Sequence, residues 1–206
     1  MSGSSAGTAT AAELFERRVA PLYHLADDAP VIAIACHAMA VRFHRGGTLV
    51  VFGNGTASTD AQHVVVEFVH PVIMGKRALP AISLTADVAT VTGIAGAEGF
   101  DEIFSHQLRH LACDQDIALG ISPDGNCGNV LRGLAAAREL GMLTIALVGG
   151  DGGAVASSRA AEHIILAHSD DPQVIKEVHV TAYHVLWELV HVFFQHPDLL
   201  EQRAVA

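Results

Sequence analysis

Strands alternating with helices along 206 residues predict an α/β fold: a three-layer, doubly wound, five-stranded parallel sheet flanked by helices. Two further features support this. The strand-like runs are short and largely apolar, as strands buried on both faces of a parallel sheet are. The segments following two of them, Gly53-Asn54-Gly55-Thr56 and Ser122-Pro123-Asp124-Gly125-Asn126, carry the residues of tight strand-to-helix turns.

In chain order, residues 10–26 read as an amphipathic helix with Leu14, Val19, Leu22 and Leu25 on one side, and a second helix is expected over 31–43. Gly46-Gly47 breaks the pattern before a strand at 48–52. A helix at 58–69, a strand at 81–84, a helical stretch from Asp87 and another around 100–111 follow. Next come a strand at 116–121, a helix at 129–140, a strand at 143–148, a glycine loop at 149–153 and a short strand at 163–166. The long final helix, 172–195, carries an apolar stripe of Ile175, Val178, Ala182, Val185, Leu186, Leu189 and Phe193. The two N-terminal helices stand outside the βαβ repeat yet have apolar faces, so they are expected to pack against copies from another subunit. The polar opening, residues 1–9, reads as a disordered lead, 10–200 as one domain and 201–206 as a tail.

The formal charge is −10, from 22 acidic and 12 basic residues, which argues against nucleic acid or an anionic membrane as the partner. A phosphate site must then rely on local donors. Cys36, Cys113 and Cys127 are odd in number and widely spaced, without a metal-knuckle motif, which fits a reducing compartment. The apolar run 31–41 is broken by His37 and is too short to span a bilayer. A cytoplasmic location is the expectation.

Ligands of an open α/β sheet bind beyond the carboxyl ends of its strands. In the first turn, glycine allows close ligand approach, Asn54, Thr56 and Ser58 supply neutral donors, and Ser58 or Thr59 could cap the next helix. The second turn offers Ser122, Asp124, Asn126 and Cys127. Neither matches a Walker A loop or a dinucleotide fingerprint. On the helix after the first turn, His63 and Glu67 are four residues apart and share a face among apolar neighbours, an arrangement suited to a general base. The last helix supplies His184, with His191 near the same face and His179 pointing elsewhere. His63, Glu67 and His184 could converge on zinc, which accepts nitrogen and oxygen donors.

The run from Gly53-Asn54-Gly55 through Asp60-Ala61-Gln62-His63 to Glu67 resembles the phosphoheptose isomerases of the sugar isomerase (SIS) superfamily. So do Leu79-Pro80-Ala81-Ile82-Ser83-Leu84, Gly99-Phe100, Phe104-Ser105, Gly120-Ile121-Ser122, Gly125-Asn126 and Asp151-Gly152-Gly153. The resemblance covers about residues 30–195 and implies a homotetramer interconverting sedoheptulose 7-phosphate and an aldoheptose 7-phosphate through an enediol. It implies Glu67 as base and His184 as acid. It also implies zinc held by His63, Glu67, His184 and a glutamine whose place here is taken by Lys176.

Several positions depart from the family pattern. The serine-rich turn that holds phosphate in the family is Ser122-Pro123-Asp124-Gly125-Asn126-Cys127 here, and Thr56-Ala57 replaces Gly-Ser in the first turn. Gly96-Ala97 stands for a sugar-holding Asn-Asp pair, and Pro71 for an arginine. A carboxylate about 4 Å from one phosphate charge costs roughly 4 kcal/mol at an effective dielectric near 20. Asp124 therefore turns away, or Lys176 compensates, or the ligand is not the usual phosphate. A rival expectation is a non-catalytic SIS module that binds a carbohydrate derivative or a protein, as a superfamily relative binds the bacterial replication initiator.

Overall fold

A computed structural model describes residues 9–196 and 198–201. The expected lead at 1–9 and tail at 201–206 fall outside these residues except at their inner ends. Helices α1 (Ala11–Asp27) and α2 (Ala29–His44) precede β1 (Leu49–Gly53) and α3 (Thr56–Val69). Then come β2 (Ala81–Ser83), α4 (Val88–Ala97), a 3-10 turn (Phe100–Glu102), α5 (Ile103–Leu111), β3 (Ile117–Ser122) and α6 (Gly128–Glu139). The chain continues through β4 (Leu143–Gly149), α7 (Gly153–Ser157), β5 (His163–Ala167), α8 (Pro172–Gln195) and α9 (Asp198–Glu201).

All five strands are parallel, in the order β2-β1-β3-β4-β5. Strand side chains alternate between two cores. Leu49, Val51, Leu119 and Ile145 pack with α2, α3 and α8, whereas Val50, Phe52, Ala118 and Ala146 pack with α4, α5 and α6. Each fully buried aliphatic side chain contributes about 1.5–3 kcal/mol, so the two cores hold the three layers together. The α8 stripe is centred differently from the expectation. Val174, Ile175, Val178, Ala182, Leu186, Trp187 and Val190 are buried, while Val185, Leu189 and Phe193 are only partly so.

Several boundaries differ for physical reasons. Helix α1 starts at a capping box: Thr10 Oγ1 accepts from Glu13 N at 3.3 Å and Glu13 Oε2 accepts from Thr10 N at 2.7 Å. Helix α3 begins two residues before the expected Ser58, and neither Ser58 nor Thr59 caps it. Their hydroxyls donate back to the carbonyls of Gly55 and Thr56 at 2.7 and 2.6 Å. Gly55, at φ +56°, makes the early start possible by turning the chain directly from strand to helix. Asp116 is not a strand residue. Its carboxylate accepts from Thr48 N at 2.7 Å and Cys113 N at 2.8 Å, tying the entries of β1 and β3 together. Helices α7 and α9, five and four residues long, are too short to show a sequence period.

Candidate active site

After β1 the chain crosses to one face of the sheet as α3, and after β3 to the other as α6. The two strands are neighbours, so the helices diverge and leave a crevice at their carboxyl ends. Both glycine-bearing turns lie on its rim. Asn54 Nδ2 donates to Asn129 Oδ1 at 2.6 Å and Asn129 Nδ2 returns a bond to Asn54 Oδ1 at 3.1 Å, which locks the turns together. Asn54 is thus half-buried and committed to the scaffold, while Gly55 and Thr56 are exposed. Sequence reading did not single out Asn129. It is 1 % exposed, and its one signal is an amide at the second position of a helix that opens on a ligand turn.

In the second turn Asp124 is exposed and bonds to groups of its own turn. Its Oδ1 accepts from Asn126 N at 2.9 Å and from Ser122 Oγ at 3.4 Å. Ser122 is fully buried and also accepts from Cys127 N at 3.4 Å. Asn126 Oδ1 accepts from Ala154 N at 3.0 Å, at the start of α7. The chain's own side chains thus engage three backbone donors of this region. Asp124 and Asn126 also line a cavity of about 400 Å³ with Gly149, Asp151, Asp170 and Ile175. None of His63, Glu67 or His184 lines it.

Those three form a separate cluster between α3 and α8. His63 Nε2 lies 3.3 Å from Glu67 Oε1, His63 Nδ1 lies 2.7 Å from the Tyr183 hydroxyl, and the His63 and His184 rings are 5.3 Å apart. One ligand atom from each of His63, Glu67 and His184 falls within 4.8 Å of the others. The two histidines are exposed and Glu67 is half-buried, so a ligand can reach them from solvent. Tyr183 is buried. That burial, reinforced by the charges of Asp60 and Glu67, pushes its phenol well above the ordinary value.

The cluster fits zinc by its donor set. Three nitrogen and oxygen ligands leave a fourth position open, as catalytic zinc sites do. The second nitrogen of His63 is held by a hydroxyl, as metal-bound histidines require. Lys176 is not a compensating cation for Asp124. Its Nζ pairs with the buried Asp60 at 2.6 Å and donates to Thr56 O at 3.3 Å.

His179 and His191 take no part. His191, two turns further along α8 than His184, is buried there, with Nδ1 2.8 Å from Trp187 O and Nε2 3.0 Å from Arg77 O. His179 is 2 % exposed and its Nε2 has no partner among the described residues. Burial lowers its pKa and keeps it neutral. The acid/base cluster and the turns are also separated from each other. Glu67 is eleven residues along α3 from Thr56, about 16 Å by helical rise, and His184 is eight residues, about 12 Å, along α8 from Lys176.

A parallel sheet ordered β2-β1-β3-β4-β5, with a crevice between the carboxyl ends of β1 and β3, defines a doubly wound α/β protein whose ligand site lies at the point where the strand order reverses. The SIS domain family matches residues 5–149, and the chain belongs to it. Among its relatives, the phosphoheptose isomerase of Solidesulfovibrio magneticus is 39 % identical over 170 residues, covering 82 % of each chain. That of Aquifex aeolicus is 41 % identical over 152 residues, covering 74 % of this chain and 78 % of the relative. The solved phosphoheptose isomerase from Francisella tularensis superposes with a TM-score of 0.82 at 34 % identity, covering 87 % of this chain and 95 % of that one.

Proposed function

We propose that this protein is a sugar-phosphate aldose–ketose isomerase of the phosphoheptose isomerase type, interconverting sedoheptulose 7-phosphate and an aldoheptose 7-phosphate. The observation that carries the reading is the assembly of Glu67 and His63 on α3 with His184 on α8, two helices far apart in sequence. Relatives at about 40 % identity, all named phosphoheptose isomerases, point the same way. Glu67 removes the proton from the carbon beside the carbonyl and returns it to the neighbouring carbon. His184 moves the proton between the two oxygens, so the enediol forms and collapses without net change. His63, Glu67 and His184 would hold zinc, which when bound polarises the carbonyl oxygen. An assembled cluster of this chemistry weighs against a purely binding module.

The protein is read as a homo-oligomer, a tetramer in its family's manner. By helical rise about 16 Å of α3 separates Thr56 in the first turn from Glu67, so the turns and the cluster of one chain stand apart. A second copy that brings its turns beside the cluster would close that gap. A cytoplasmic location agrees with three unpaired cysteines and with a phosphorylated substrate. Among the described residues, no single helix is long and apolar enough to cross a membrane.

The test is Glu67→Gln assayed with sedoheptulose 7-phosphate. Loss of a positioned general base lowers kcat by about 10²–10⁴-fold. Turnover unchanged by the substitution removes Glu67 from the mechanism.

A further inference from the structure

A second cavity, of about 610 Å³, opens between β2, α4 and α5. It lies on the face of the sheet opposite α3 and α8, and none of Asn54, Thr56, Glu67, Ser122, Asp124 or His184 lines it. Its walls are apolar: Ile82 and Leu84 from β2 and the turn after it, Ile94 from α4 and Leu111 from α5. A cavity of this size with apolar walls and a few polar groups has the make-up of a small-molecule site.

Two residues show that the space is kept open and polar at one point. Gly93 lies inside α4, where glycine weakens a helix. Nothing lies within 4 Å of where its Cβ would stand, so close packing does not require the glycine. What it does is leave the cavity unfilled. Gln107 is 5 % exposed. Its Nε2 donates to Leu84 O at 3.1 Å and to Ile103 O at 2.7 Å, which uses both amide hydrogens and fixes the direction of the amide. Its Oε1 has no partner among the described residues and is left to the cavity that Gln107 lines. A nearly buried acceptor without a partner is costly, and a donor brought into the cavity relieves that cost.

The charges select the donor. The lining holds no lysine or arginine, and Asp87 is its one carboxylate. Asp87 accepts from Ala89 N at 3.0 Å, Thr90 N at 3.1 Å and Thr90 Oγ1 at 2.6 Å, and these bonds hold its pKa down, so it stays ionised. On the α5 wall His106 is engaged by Glu98, with Nδ1 2.8 Å from Oε1, and its ring stands 4.6 Å from that of His110. Carboxylates at Asp87 and Glu98 attract a cation and repel a phosphate.

We propose that this cavity is a second binding site, for a small molecule with an apolar, ring-sized body and an amine. The body fills the space beside Gly93, and an N–H donates to Gln107 Oε1. The site is independent of the reaction that Glu67 performs.

Titration calorimetry on the full-length protein tests this with tryptamine, and with indole-3-acetate as a similar ring carrying an anion. Tryptamine is expected to bind about tenfold or more tightly than indole-3-acetate. Gly93→Phe sends a ring into the cavity from a position with free space, and is expected to weaken tryptamine by about tenfold or more. Gln107→Met keeps the side-chain length and removes the acceptor, and is expected to weaken it by about tenfold. Absence of tryptamine binding to the wild type, or equal affinity for the two probes, overturns the proposal whether or not either variant folds. So does a folded Gly93→Phe that binds tryptamine as the wild type does. Altered sedimentation of Gly93→Phe without any probe would show that the cavity seats a second copy of the chain, which also overturns it.

Discussion

At the level of single residues, two substitutions relative to the family pattern separate ligand affinity from chemistry. Asp124 places a carboxylate in the turn that the family uses for phosphate, and it engages donors of that turn itself. It is exposed, so solvent screens it and the repulsion of a phosphate falls toward the 1 kcal/mol expected in water at 4 Å. Asp124→Ser is therefore expected to lower KM for sedoheptulose 7-phosphate about fivefold while leaving kcat unchanged. Steady-state kinetics decide it, and an unchanged or raised KM would mean that the substrate phosphate does not meet this turn. Lys176, which the resemblance sets in the place of a glutamine ligand, is neutralised by Asp60 at 2.6 Å. Protein purified without an affinity tag is expected to carry zinc on His63, Glu67 and His184, and His63→Gln is expected to carry none. Elemental analysis that finds essentially no metal in either protein would exclude the site.

Among the elements, the turns matter because they hold two helix starts at fixed separation. Gly125 sits at φ +69°, and a Cβ there would lie 2.0 Å from the carbonyl oxygen of Gly152. The second turn is thereby packed against the loop before α7. Gly125→Ala combines backbone strain with a backbone clash, and is expected to cost at least about 2 kcal/mol. Urea denaturation reads this as a lowered midpoint at unchanged slope, and an unchanged midpoint would contradict the packing. How α3 starts was not legible in the sequence. Ser58 and Thr59 have the composition of caps, but the positive φ at Gly55 moves the start to Thr56 and turns both hydroxyls onto carbonyls. Local composition offers several capping solutions, and the close packing of strand and helix selects one.

For the whole molecule, the unused surface is apolar where the N-terminal helices face outward. Phe15 and Tyr23 on α1 are 73 % and 69 % exposed, and Ile34 on α2 is 61 % exposed. Three large apolar side chains left in water point to burial against another copy. Sedimentation of the 21.6 kDa chain is expected to show a tetramer. Phe15→Glu is expected to shift it toward monomer, with specific activity falling on dilution because turns and acid/base cluster then part. A fully active monomer would show that one chain completes its own site.

The parallel sheet, the three layers and the pairing of His63 with Glu67 were legible in the chain. Each follows from a short-range regularity: apolar runs of strand length, glycine turns, and an i, i+4 spacing on one helix. Other features depend on which residues meet across 75 to 120 positions, and only the tertiary structure decided them. Tyr183 behind His63, Asn129 against Asn54, Lys176 on Asp60 and the displacement of His191 from the site all depend on how α8 and α6 are placed against α3 and the sheet. Periodicity says which face of a helix is buried. It does not say which partner that face meets, because partner choice is set by the packing of the whole core.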